Sequence, residues 1–266
     1  MLNIGLGLLD SVIEISKRAG AEILKVYNTE FKIEVKDDQS PVTAADKIAE
    51  ALILRSIKEG ISQKFPIISE EAASNGGLPE IGSAPFWLVD PLDGTKEFVN
   101  RNGEFTVNIA LIENTKPVLG VVYVPTKDIV FWGSTHGSFV KKAEAPPEKL
   151  TCEPFPKKNI KVAVSRSHYD KQVDTFLKNF DVKEKISAGS SLKFCLVAEG
   201  LVDLYPRFGR TMEWDTAAGH AILHFAGGMV KTLENCDLIY GKSTLENPNF
   251  VASGPGLSNF ENFWQK

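Results

Sequence analysis

The chain has 266 residues, a formal net charge of −4 and a pI near 5.7, with 43% hydrophobic and 24% charged residues. That balance excludes intrinsic disorder and offers no basic surface for a nucleic-acid polymer, while the length suits one large domain or two closely packed halves. A phosphate-bearing ligand would have to be held by local groups, which points to a small molecule.

Residues 1–9 are apolar, but no basic residue precedes them and Asp10 and Glu14 follow, so they lead into a helix and do not read as a signal peptide. No window approaches the roughly 20 apolar residues of a membrane span. Residues 8–27 predict an amphipathic helix and residues 43–58 a second one, opened by Pro41 and Thr43 with Asp46 at the capping-box position. The link between them, residues 32–40, is polar. Residues 66–69 predict a short strand whose end offers Glu70 and Glu71, followed by a Gly- and Pro-rich loop over residues 74–85.

Residues 86–95 are the most informative stretch. Phe86 to Val89 is an apolar strand, and Pro91, lacking an N–H, should end its pairing, leaving Asp90 and Asp93 at the strand end. Two carboxylates flanking a turn suit a hard divalent cation, and the Leu92 carbonyl could join them. Gly94 leaves room for a phosphate against the backbone, and Thr95 adds a hydroxyl as a new helical turn opens. The competing reading is an ordinary surface turn, since Asp, Pro and Gly all form turns.

Residues 106–112, 118–124 and 129–133 predict an antiparallel meander, with turns at 113–114 and 125–126. Residues 143–158, dense in Pro, Lys and Glu, predict a hinge between an N-terminal α+β half (1–145) and a C-terminal α/β half (146–266). In the second half strands at 160–164 and 202–205 alternate with helices at 171–179, 192–199 and 215–225. Asp215 opens the last of these, as a helix cap or as a ligand. Cys152, Cys195 and Cys236 form no CxxC pair, which suits a reducing cytoplasm. His220 and His224 lie one helical turn apart but lack the Glu of a zinc motif, so packing is the simpler role.

Glu70-Glu71, Asp90-Pro91-Leu92-Asp93-Gly94-Thr95 and Trp214-Asp215-Thr216-Ala217-Ala218-Gly219 together resemble the inositol monophosphatase superfamily of magnesium-dependent, lithium-sensitive phosphatases. Lys96-Glu97-Phe98, Arg101 to Ala110, Ser40 to Asp46, Ser165-Arg166-Ser167-His168, Gly189-Ser190-Ser191-Leu192-Lys193-Phe194 and Leu204 to Gly209 resemble its CysQ-type 3'(2'),5'-bisphosphate nucleotidases. The resemblance covers nearly the whole chain and implies a mixed α/β fold, a layered α-β-α-β-α sandwich. It makes Glu70, Asp90, Asp93, Asp215 and the Leu92 carbonyl the ligands of two or three magnesium ions. Gly94 and Thr95, with Asp93 and Asp215, would meet the scissile phosphate. Asp46, Thr95 and Glu70 would be catalytic, orienting and deprotonating the attacking water, while Ser165, His168, Gly189 and Lys193 would contact the nucleotide and its second phosphate.

The activity so implied is hydrolysis of the 3'-phosphate of adenosine 3',5'-bisphosphate to AMP and phosphate. It would clear a by-product of sulfate assimilation in the cytoplasm, with oligomeric state and peripheral attachment to the inner membrane left open. The alternatives are an inositol monophosphatase, an inositol polyphosphate 1-phosphatase, or a non-catalytic sensor of nucleotide phosphates. Lys96-Glu97 and the Gly-Ser-Ser-Leu-Lys segment favour the nucleotidase.

Overall fold

The computed structural model describes residues 5–35, 41–74, 76–258 and 260. Residues 1–4 of the apolar start, residues 36–40 of the polar link, Ser40 of the nucleotidase-like motif and Asn75 of the Gly- and Pro-rich loop lie outside the described residues. Strand β1 (Ile33–Val35) falls in the segment whose polarity predicts a plain link and pairs antiparallel with β2 (Pro41–Thr43), which lies just beyond it. The larger sheet runs β3 (Ile67–Ser69), β4 (Phe86–Asp93), β5 (Thr106–Glu113), β6 (Lys116–Val124), β7 (Ile129–Ser134), β8 (Gly137–Lys142) and β9 (Glu148–Leu150). Its first pair is parallel and the rest form an antiparallel meander. Strand β9 lies inside the segment expected to be a hinge and pairs with β8, so the chain leaves this sheet only after Leu150.

The second sheet orders its strands β11 (Val182–Ala188), β10 (Ile160–Ser165), β12 (Leu204–Arg207), β14 (Phe250–Ser253) and β13 (Met229–Thr232). Helices α1 (Leu6–Tyr27) and α2 (Ala44–Gly60) cover the outer face of the first sheet. Between the sheets lie α6 (Leu192–Ala198) and α7 (Glu213–Phe225), while α5 (Gln172–Leu177) packs outside the second sheet. The order is α-β-α-β-α, as the motifs imply.

Strict alternation builds both faces of the first sheet. Trp87, Val89, Val107, Ile109 and Val121 face α1 and α2, whereas Phe86, Leu88, Ala110, Ile112 and Val122 face α7. Burial on both faces explains why these strands read as nearly unbroken apolar runs. Helix α7 comes unusually near the sheet because two strand positions carry no side chain. A Cβ on Gly120 would lie 2.5 Å from the Ala218 carbonyl oxygen, and one on Gly133 would lie 2.7 Å from that of Ala221. Gly120→Ala should therefore destabilise the protein by about 3 kcal/mol, seen as a fall in Tm of roughly 5–10 °C. An unchanged Tm would mean that α7 can retreat at no cost.

Candidate active site

The register of the parallel pair places the first acids together. Ser69 pairs with Val89, so the next residues, Glu70 at the start of α3 (Glu70–Ser74) and Asp90, leave neighbouring strands at the same level. Pairing of β4 does not stop at Pro91 as expected. Asp90 pairs with Asn108 and Asp93 with Thr106, and the register shift between them absorbs Pro91 and Leu92. An irregularity of this kind is where a strand tolerates a residue without an N–H, and it re-aims the side chains around it. Asp90 and Leu92 are buried, and Leu92 N–H donates to Asp90 Oδ1 at 3.1 Å.

Gly94 follows with φ 90° and ψ 44°, a left-handed conformation that only glycine adopts without strain, and turns the chain into α4 (Thr95–Val99). Thr95 Oγ1 lies 3.3 Å from both Asp46 Oδ1 and the Leu92 carbonyl oxygen. Asp46 is buried and does two things at once. Its Oδ2 accepts from the Thr43 N–H at 2.7 Å and the Thr43 hydroxyl at 2.8 Å, closing the capping box of α2, and its Oδ1 is left to face Thr95.

Asp215 comes from the first turn of α7, where its Oδ2 accepts from Met212 N–H at 2.8 Å. Asp93 Oδ2 accepts from Asn108 Nδ2 at 3.1 Å and from the Ser191 N–H at 2.7 Å, and the Ser191 hydroxyl donates to the Asp215 carbonyl at 2.7 Å. Ser191 thus joins the two acid-bearing elements. Its motif is distinctive, but a serine before a helix ordinarily signals a cap, so the sequence does not predict this joining role. Burial is the main cause that holds Asp93 above the usual carboxylate range. Burial, followed by the charges of Asp93 and Glu70, pushes Asp215 up to about 8.

Such an excess of crowded negative charge suits a hard cation. Among the described residues no three His, Cys, Asp or Glu side chains form a ready cage for one. Magnesium does not require a cage, since it takes one or two carboxylates and completes its shell with water and phosphate oxygens.

Glu70, Asp90, Leu92, Asp93, Gly94, Thr95 and Asp215 line one cleft of about 950 Å³, and Ser165, His168 and Lys193 line it too. Asp46 stands behind Thr95. Gly189 is outside the lining, its amide donating to Glu104 Oε2 at 2.8 Å, while its neighbour Ser190 does line the cleft.

Basic groups gather around His168. Lys96 Nζ is 2.9 Å from His168 Nε2, and Arg207 donates to the His168 carbonyl at 3.0 Å. Burial, then Lys96, Arg207 and Lys193, pushes His168 down to about 4, so it is neutral at pH 7. Lys193 is buried, its Nζ 2.5 Å from the Ser190 carbonyl oxygen and 3.2 Å from that of Ala188, and desolvation pulls it down to about 8. Among the described residues the buried Nε of Arg207 has no hydrogen-bond partner. An orphaned guanidinium donor at the cleft edge fits an anionic ligand. Lys96 and Arg207 belong to the nucleotidase-like motifs, but the sequence does not single them out as site residues, because a lone Lys or Arg looks the same on any surface.

The inositol monophosphatase family model matches residues 8–261. The chain is 42% identical over 246 residues to the 3'(2'),5'-bisphosphate nucleotidase CysQ of Salmonella typhimurium, covering 91% of this chain and 98% of that one. The crystal structure of CysQ from Bacteroides thetaiotaomicron superposes with a TM-score of 0.77 at 37% identity, covering 94% and 97% of the two chains. The inositol monophosphatase of Anabaena (Nostoc) superposes with a TM-score of 0.73 at 26% identity, covering 97% and 94%. With the acids of both halves meeting in one cleft and likeness along its whole length, the chain belongs to the inositol monophosphatase family.

Proposed function

We propose that this protein is a magnesium-dependent 3'(2'),5'-bisphosphate nucleotidase that hydrolyses adenosine 3',5'-bisphosphate to AMP and phosphate. The observation that carries the substrate is that one cleft is lined both by the acids and by Lys96, His168, Lys193 and Arg207. A molecule with two phosphates can use both sets of groups, whereas an inositol monophosphate would leave part of the basic set without a partner. The 42% identity to a named nucleotidase supports the same choice.

Membership of the family implies a divalent metal. Glu70, Asp90, Asp93, Asp215 and the Leu92 carbonyl would hold two or three magnesium ions, which when bound neutralise phosphoryl charge, stabilise the leaving oxygen and acidify water. The chain's own residues orient the reaction. Gly94, having no side chain, lets the phosphate reach the backbone. Thr95 Oγ1, with its proton directed to Asp46 Oδ1 or Leu92 O, presents a lone pair to the attacking water, and Asp46 is the final proton acceptor. The 3.3 Å spacing is long for an O–H···O bond, and catalytic contacts of this kind tighten in the substrate complex. Water adds to phosphorus as one of its protons passes by way of Thr95 to Asp46, the P–O bond to the ribose 3' oxygen breaks, and that oxygen takes a proton from solvent to become the hydroxyl of AMP, while Asp46 returns its proton to solvent.

Thr95→Ala should lower kcat by about 10²-fold while KM changes little, as checked by steady-state kinetics. A change in KM alone would make Thr95 a binder with no part in proton transfer. The cytoplasm, where thiols stay reduced, suits Cys152, Cys195 and Cys236, all of them free. Among the described residues no helix is long and apolar enough to cross a membrane.

Phosphate release from adenosine 3',5'-bisphosphate, inositol 1-phosphate and fructose 1,6-bisphosphate tests the whole reading, with magnesium, then EDTA, then lithium. Magnesium-dependent, lithium-inhibited release chiefly from the nucleotide is expected. Release from the inositol ester alone would overturn the substrate, and silence on all three would leave a nucleotide-phosphate sensor.

A further inference from the structure

Two loops of the second half reach the cleft, one over residues 165–168 after β10 and one over residues 188–191 before α6. Both are tied to one first-half side chain outside the cleft. Glu104 Oε2 accepts from Arg166 Nε at 2.8 Å and from the Gly189 N–H at 2.8 Å, while Oε1 accepts from Arg166 Nη2 at 2.8 Å. The fork of Arg166 also donates to the Ser187 carbonyl at 2.9 Å, and the Arg166 N–H donates to Ala188 O at 3.2 Å, so the two loops are stitched to each other at the point where Glu104 holds them.

The backbone at Glu104 is equally constrained. A Cβ on Gly189 would lie 2.7 Å from the Glu104 carbonyl oxygen, and one on Gly94 would lie 3.3 Å from the same atom. Glu104 is thus wedged between the glycine beside Thr95 and the glycine that opens the Lys193 segment. A bidentate arginine–carboxylate pair fixes orientation as well as distance, and the added backbone donor leaves the carboxylate little freedom to turn.

The geometry points to Glu104 as a positioning residue that sets the preference for a second phosphate, by locking the loops of Ser165, His168 and Lys193 at a fixed offset from Asp93 and Thr95. The inference rests on the bisphosphate reading above. Glu104 touches no substrate group. It acts through Arg166 and Gly189, and a substrate with one phosphate does not use the offset that it fixes.

The test compares wild type, Glu104→Gln and Arg166→Met on adenosine 3',5'-bisphosphate and adenosine 3'-monophosphate, with amide hydrogen exchange read on the same full-length proteins. Glu104→Gln is nearly isosteric but loses the charge and places an NH2 against the Arg166 or Gly189 donors. Its kcat/KM for the bisphosphate should fall about tenfold or more, through KM, while that for the monophosphate stays within about twofold. Exchange at the Gly189 and Arg166 amides should quicken at least about tenfold, with the α7 amides unchanged as the control for folding. Arg166→Met, altering a partly exposed side chain, should move both readouts the same way by less. Equal losses on both substrates, or unchanged exchange, would overturn the proposal. Wild-type protein that does not prefer the bisphosphate would sink the functional reading, and exchange alone would then decide the lock, faster exchange upholding it and unchanged exchange refuting it.

Discussion

Asp93→Asn should lower turnover by about a thousandfold while the protein stays folded. Asp93 is the acid most firmly built into the site, accepting from Asn108 on β5 and from Ser191 at the head of α6. An asparagine of the same shape can keep both bonds on its amide oxygen, since both go to Oδ2, but cannot supply charge to a cation. Because burial already makes the ionised form of Asp93 costly, the substitution relieves the metal-free protein and should leave its Tm equal or higher. Steady-state kinetics and thermal melts in EDTA check the two halves of the expectation. Turnover within a few-fold of wild type would remove Asp93 from the metal centre, and a collapsed melt would make it structural.

Metal removal has the second large effect. EDTA should abolish turnover, and saturating magnesium at about 100 times its Kd should add close to 2.7 kcal/mol, or roughly 5–10 °C in Tm. The pH dependence has a definite sign. Asp215 is raised to about 8 in the folded chain, above the range of an unfolded carboxyl, so folding favours its protonated form. The contribution of Asp215 to metal-free stability is therefore full below the unfolded value and is lost as pH rises through about 8. Below that pH a bound cation must displace the proton, so metal affinity should climb with pH and level off above it. Melts with and without magnesium between pH 5 and 9 measure this, and a magnesium shift that is flat with pH would contradict it.

Most of the acids were legible because their residues are compact in sequence and chemically unusual. Two aspartates, a glycine and a threonine at the end of an apolar strand leave few other uses. The meander was legible because strands buried on both faces carry unbroken apolar runs. Strand β11 was not, since Val182–Ala188 is an exposed edge whose Lys-Glu-Lys centre has no apolar period. Strands β13 and β14 are four residues each and draw their burial from α7 and β12, contacts invisible locally. Continuation of β4 past Pro91 depends on a register shift against β5, a property of the pair and not of either segment. Gly189 shows a further limit: the resemblance makes it a nucleotide contact, whereas the structure leaves it outside the cleft lining and packs it against Glu97 and Glu104.

The place of α7 between the sheets has a consequence for the making of the protein. Phe86, Leu88, Ala110, Ile112 and Val122 are emitted early from the ribosome, yet the helix that covers them begins at residue 213. Until it arrives, the nascent chain displays a broad oily sheet face, the sort of surface on which unfinished chains stick to one another. The same late helix carries Asp215. A chain cut short before residue 213 therefore keeps Glu70, Asp90 and Asp93 but lacks both Asp215 and the helix that covers this face of the sheet.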